Sequence, residues 1–251
     1  MDLKNTLFFQ ILKTLVLLEV FIAIVLFFDS QYFAQFRGDG QKIADVILAV
    51  TLAYLYWTAS KRAREQIIYA VLIGIGGEYL FSIVFGMYTY RLENVPHYVP
   101  LGHAVVYLAV YYFVRQPKVI SYRRQLELAF LTINAVFAVS FLIFKGDVLG
   151  FALSLLVLYF VLKNPRERLF YLSMYFTIAI LELLGTGFGA WVWPDTWFGK
   201  VPFMPSGNPP SGISIFYFGL DLGCLYFYKL RHKIAWKRMK SVRRIRQAKA
   251  V

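Results

Sequence analysis

Eight apolar stretches divide this chain, at residues 6–28, 42–59, 66–88, 100–114, 125–144, 148–162, 169–190 and 212–228. A helix that crosses a bilayer needs about 20 mostly apolar residues, so the pattern predicts an all-α polytopic membrane protein with eight spans, the fourth and sixth of them short. Composition agrees. Of 251 residues 59% are hydrophobic and 19% aromatic, with mean hydropathy +0.57, against roughly 45 to 50% apolar content in soluble domains.

The basic residues give an independent reading of topology, because short cytoplasmic loops collect Lys and Arg. With eight spans and both termini cytoplasmic, the inner side holds Lys4, the Lys61, Arg62 and Arg64 group, the Arg115 to Arg124 group, the Lys163 to Arg168 group and a tail rich in Lys and Arg. Twenty-one basic residues then lie inside and five outside, with Lys13 in the first span. An odd number of spans would destroy that asymmetry. The expected location is the cytoplasmic (inner) membrane, with multiple passes. The net charge of +13 is dispersed over loops rather than gathered on one soluble face, which argues against nucleic acid as a partner. In the tail, Lys237, Arg238, Lys240, Arg243, Arg244 and Arg246 suit anionic lipid headgroups, at about 1 kcal/mol per charge near the surface. The first stretch is too long for a typical cleavable signal and is expected to stay as an anchor. The single cysteine, Cys224, offers no thiol cluster for a metal.

Four carboxylates interrupt these apolar stretches: Glu19, Glu78, Glu182 and Asp221. An ionised side chain at the bilayer centre costs about 3 kcal/mol, so each is a candidate functional group. Counted along their helices at 1.5 Å per residue, Glu78 lies about 18 Å and Glu182 about 20 Å from the inner ends, and Asp221 about 14 Å below its outer end. All four therefore share roughly one depth. No cation matches them, since Lys13 falls on another face of the helix from Glu19. They must be protonated, hydrogen-bonded to one another or to tyrosines, or matched by a bound cation. Gly74, Gly76, Gly77 and Gly86 flank Glu78, and Gly185, Gly187 and Gly189 follow Glu182. Small residues of this kind permit close helix packing and leave room for a ligand.

The chain also looks duplicated. At a shift of 104 residues Arg62, Arg64 and Glu78 fall on Arg166, Arg168 and Glu182. Further along, Gly86, Tyr88, Tyr90, Val95, Pro96, Pro100 and Gly102 are echoed by Gly189, Trp191, Trp193, Val201, Pro202, Pro205 and Gly207. The expected organisation is a first four-helix half at 1–124, a second at 125–228 in parallel 4+4 duplication, and a basic cytoplasmic tail at 229–251. The site is then expected between the halves.

Two outer segments are too polar and too rich in proline to span. The first, Tyr88 to His103, carries Tyr88, Tyr90, Glu93, His97 and His103. The second, Trp191 to Ser211, carries Trp191, Trp193 and Asn208. Aromatics at an interface normally anchor a protein in the headgroup region; two such segments above acid-bearing helices also suit a lid over a hydrophobic small-molecule substrate, with Tyr88, Tyr90, His97, His103, Trp191, Trp193 and Asn208 as its binding residues. His97, His103 and Glu93 have ligating chemistry but not a metal-site spacing, so neither a metal nor a cofactor is expected. His103 could relay protons to the midplane acids.

No phosphate-binding loop, nucleophile elbow or dinucleotide fingerprint is present. Two functions fit what remains, beside the plainer reading of a membrane scaffold or partner subunit whose tail binds lipid. One is an intramembrane enzyme acting on a lipid or isoprenoid by acid and base catalysis, with Glu78, Glu182, Asp221 and Glu19 as catalytic residues. The alternative is a proton- or cation-coupled transporter or channel with the same acids as its ion site. A Glu in an early helix paired with an Asp in the final one, here Asp221, is similar to the small integral-membrane terpene cyclases. That likeness implies acid catalysis on an isoprenoid.

Overall fold

The computed structural model describes residues 6–238 and 241, and 75% of it is helical. Each of the eight apolar stretches coincides with a helix. In chain order these are α1 (Leu7–Phe28), a short α2 (Gln31–Arg37), α3 (Gln41–Thr58), α4 (Lys61–Val84), α5 (Tyr98–Phe113), a short α6 (Pro117–Ser121), α7 (Arg123–Lys145), α8 (Val148–Lys163), α9 (Arg168–Gly187) and α10 (Ile215–Arg231). Among the described residues, four of them, α1, α4, α7 and α9, are long and apolar enough to cross a membrane.

Local chemistry sets many of the ends. The side chains of Ser30, Ser60 and Asp147 accept hydrogen bonds from backbone N–H groups at the starts of α2, α4 and α8, satisfying donors that have no partner within the helix. Helix α7 closes on Gly146, whose φ of +64° is the left-handed conformation that glycine adopts without penalty. Two spans depart from α geometry, through π-helical turns at Leu12–Val16 in α1 and Tyr79–Val84 at the end of α4. The second begins at the residue after Glu78. Such turns free backbone groups and often mark functional positions.

Helix α9 is the axis of the fold. In its apolar window 61% of residues are buried, against 22 to 28% in the other three long helices. It packs on α1, α5, α7, α8 and α10, while α4 packs on both α5 and α10. The faces turned away from this core are strongly apolar: Val50, Leu72, Leu128, Phe144 and Leu162 are all exposed, as expected where hydrocarbon takes the place of water.

The outer segments form a small cap. Strand β1 (Thr89–Tyr90) pairs antiparallel with β2 (Trp191–Val192), setting Thr89 against Val192 and Tyr90 against Trp191. Strand β3 (Thr196–Trp197) pairs with β4 (Val201–Pro205). Two buried aspartates fasten the cap to the bundle. Asp29, at the end of α1, accepts from Arg91 (2.6 Å), the Tyr98 hydroxyl (2.8 Å) and Gln41 (3.3 Å). Asp147 accepts from the backbone N–H groups of Gly150, Gly207 and Ser211 at 2.7–2.9 Å. Of the basic tail, Lys240, Arg243, Arg244 and Arg246 lie outside the described residues, as does Lys4.

Candidate functional site

Side chains on a strand alternate between its two faces. Tyr88 and Tyr90 therefore share a face of one ribbon strand, Trp191 and Trp193 share a face of the other, and all four are buried. The antiparallel register sets Tyr88 beside Trp193, with ring centroids 4.6 Å apart, and Tyr90 beside Trp191 at 6.0 Å. Two carboxylates lie beneath this aromatic layer.

Glu78 is almost fully satisfied. Its Oε2 accepts from the Tyr88 hydroxyl at 2.6 Å and the Tyr90 hydroxyl at 2.5 Å, and its Oε1 lies 2.6 Å from Nε2 of His103. Glu182 is built differently. Its Oε2 accepts from the indole N–H groups of Trp191 (2.9 Å) and Trp193 (3.1 Å). Its Oε1 makes no hydrogen bond among the described residues, and Glu182 lines the cavity described below. Hydrogen bonds to charged groups are worth roughly 1.5–3 kcal/mol each, so each set of donors goes far to offset the burial of its acid.

Glycines make the arrangement possible. A Cβ on Gly185, three residues after Glu182, would lie 2.0 Å from the Trp191 ring, and one on Gly74, four residues before Glu78, would come within 3.1 Å of the His103 ring. The small residues around the acids thus give their hydrogen-bonding partners room to approach.

Glu78, Glu182, His103 and the four ribbon aromatics line one cavity of about 560 Å³, within the 300–1,000 Å³ range usual for small-molecule sites. The rest of its wall is mostly apolar, with Phe21, Leu48, Phe81, Leu153 and Phe216 among the contributors, and no Lys or Arg lines it among the described residues. Tyr217 also borders it, its ring 4.8 Å from that of His103; the sequence reading did not single this residue out.

The other expected site residues lie elsewhere. Glu19 is buried facing Thr177 on α9, outside the cavity lining. Asp221 is next to the Tyr107 hydroxyl and Cys224, again outside the lining. The expectation that four acids converge is therefore corrected to two, because equal depth along helix axes does not fix the direction in which a side chain points. His97 is exposed on the surface near Asp45 at 3.8 Å and does not approach His103's partners. Asn208 holds the ribbon from outside, its side-chain oxygen accepting from the Trp193 backbone N–H at 3.0 Å. Glu93, weighed with the two histidines, makes a backbone turn with Tyr90 at φ +55°.

No protein-family model matches the chain, and no curated protein or solved structure matches it significantly.

Proposed function

We propose that this protein is an intramembrane enzyme acting on a lipid or isoprenoid molecule held in the cavity, with Glu78 and His103 as a proton-exchanging pair and Glu182 as the second carboxyl group. The observation that carries the reading is the pairing of a buried carboxylate and an imidazole at 2.6 Å on the wall of a largely apolar cavity. An acid or base in hydrogen-bond reach of a bound substrate contributes about 10²–10⁴ in rate. The pair would give a proton to an alkene, epoxide or lipid oxygen. The free oxygen of Glu182 would take one from the resulting cation, so that an isomerisation or ring closure needs no external oxidant or reductant.

The same proposal includes eight spans, both termini cytoplasmic, and two repeated halves at 1–124 and 125–228. Its support is the correspondence of the two acids. Each accepts a pair of hydrogen bonds from alternate aromatics about ten residues later, and the two strands that carry those aromatics pair with each other.

The deciding comparison is the lipid profile of expressing cells against cells carrying Glu78→Gln or Glu182→Gln. A species that accumulates or disappears with the parent and reverts in both variants supports catalysis. An unchanged profile, together with proton or cation flux in liposomes that both variants abolish, would select the transport reading and discard the enzyme.

A further inference from the structure

The cavity wall includes residues with substantial accessible surface, which are the candidates for its mouth. Gly76 and Leu80 on α4, Leu156 on α8 and Gly219 on α10 are exposed yet line the cavity. Helices α4 and α10 run antiparallel, and two contacts fix their register. A Cβ on Gly223 would lie 2.8 Å from the Ile73 side chain, and the rings of Phe81 and Phe216 meet edge to face at 4.8 Å. Interpolating between these contacts sets Gly76 and Gly77 opposite Gly219 and Leu220. Apart from the adjoining residues and the backbone of its own helix, nothing lies within 4 Å of a Cβ built on Gly76 or Gly219. The two contacts lie about 12 Å apart along α4, from residue 73 to residue 81, and between them the seam is lined by glycines with room for a side chain.

The chemistry of the rim identifies what passes. Leu72, Ile75, Leu80 and Leu222 are exposed beside the opening, and this part of α4 belongs to a helix apolar enough to span a bilayer. Such a rim would be costly to wet and matches acyl chains. The outer end of the cavity is roofed by the four ribbon aromatics, all buried. Just inside, at residue 78, lies the Glu78 pair, and Glu182, whose Oε1 takes no hydrogen bond among the described residues, lines the same cavity.

We propose that the gap between α4 and α10 at Gly76 and Gly219 is a lateral portal through which a lipid-dissolved, uncharged apolar molecule enters the cavity from the bilayer, with the Phe81–Phe216 ring pair as its outer jamb. The portal stands whether or not the acids perform chemistry.

The test uses the full-length protein in phosphatidylcholine nanodiscs, with Trp57, Trp197 and Trp236 replaced by Phe so that Trp191 and Trp193 report from the cavity wall. Bromododecane dissolved in the bilayer is the probe, and the rate at which it quenches the indoles is the readout. Gly76→Phe and Gly219→Phe have space for a side chain and should slow quenching several-fold, while Phe81→Ala should hasten it. Unchanged rates in all three variants, or quenching by aqueous acrylamide that equals that of bromododecane, would overturn the portal. Should the glycine variants fail to fold, Phe81→Ala decides: faster entry supports the route and an unchanged rate rejects it. A Glu78→Gln protein that still admits the probe while its cells keep the lipid profile of the parent would leave the portal standing and count against catalysis by Glu78.

Discussion

Nε2 of His103 lies 2.6 Å from Oε1 of Glu78, across the contact between α5 and α4. The two residues are 25 apart in sequence, and their approach depends on a third: any side chain at Gly74 would press on the imidazole. The carboxylate takes its remaining bonds from two tyrosines, so among the described residues His103 is the one partner on Oε1. In the proposed mechanism that division gives the imidazole the proton-exchanging role and the phenols the positioning role.

Replacing His103 with Gln should separate these roles. We expect turnover to fall roughly 10²-fold, while the tyrosine bonds keep the carboxylate in place and thermal stability drops by about 1–3 kcal/mol for a buried oxygen left without its partner. Tyr88→Phe should affect the rate much less. Equal losses in the two variants would show that the histidine only holds the site together.

Gly185→Ala offers a test at the second acid. The added methyl would occupy the position of the Trp191 ring, and overpacking of this kind costs about 1–3 kcal/mol. The indole must shift and give up its bond to Glu182. The indole N–H resonance of Trp191 should move while that of Trp236, in the helical segment after α10, stays; an unmoved Trp191 signal would contradict the packing described here.

Asp147 holds three backbone N–H groups in a buried place. We expect Asp147→Ala to destabilise the protein by roughly 2–4 kcal/mol and to free the segment around Gly207 for proteolysis. Cleavage there at the parent rate would count against the anchoring role.

At the outer rim, Asp39 responds to pH. Burial pushes its carboxyl up, but the hydrogen bond from Arg91, the Gln41 N–H and the charges of Arg91 and Lys42 together hold it below the ordinary 3.8. A carboxylate with a lowered folded pKa adds stability that is present above its unfolded value and lost as pH falls through the folded one. The melting temperature should therefore drop on acidification below about 3.8, and Asp39→Asn should flatten part of that slope. An identical slope in the variant would place the acid sensitivity elsewhere.

The helices were legible because the thickness of hydrocarbon acts directly on composition, and continuous apolar runs mark them. The Glu78 site was partly legible too, since tyrosines at alternate positions of an extended segment must share a face. Its counterpart was harder to read. Tryptophans near an interface are common, and nothing local distinguishes an anchoring indole from one that donates to Glu182. Glu19 and Asp221 misled because the rise along a helix gives depth, while azimuth depends on packing among helices remote in sequence. The clamp of Asp29 on Arg91, 62 residues away, and the π turn after Glu78 leave no local signature.

The pairing of Tyr90 with Trp191 also bears on biosynthesis. During elongation Glu78 is synthesised long before the strand that steadies its phenolic donors. Through that interval Tyr88, Tyr90 and His103 are already available to the acid, but the strand that fixes the two phenols in place is not.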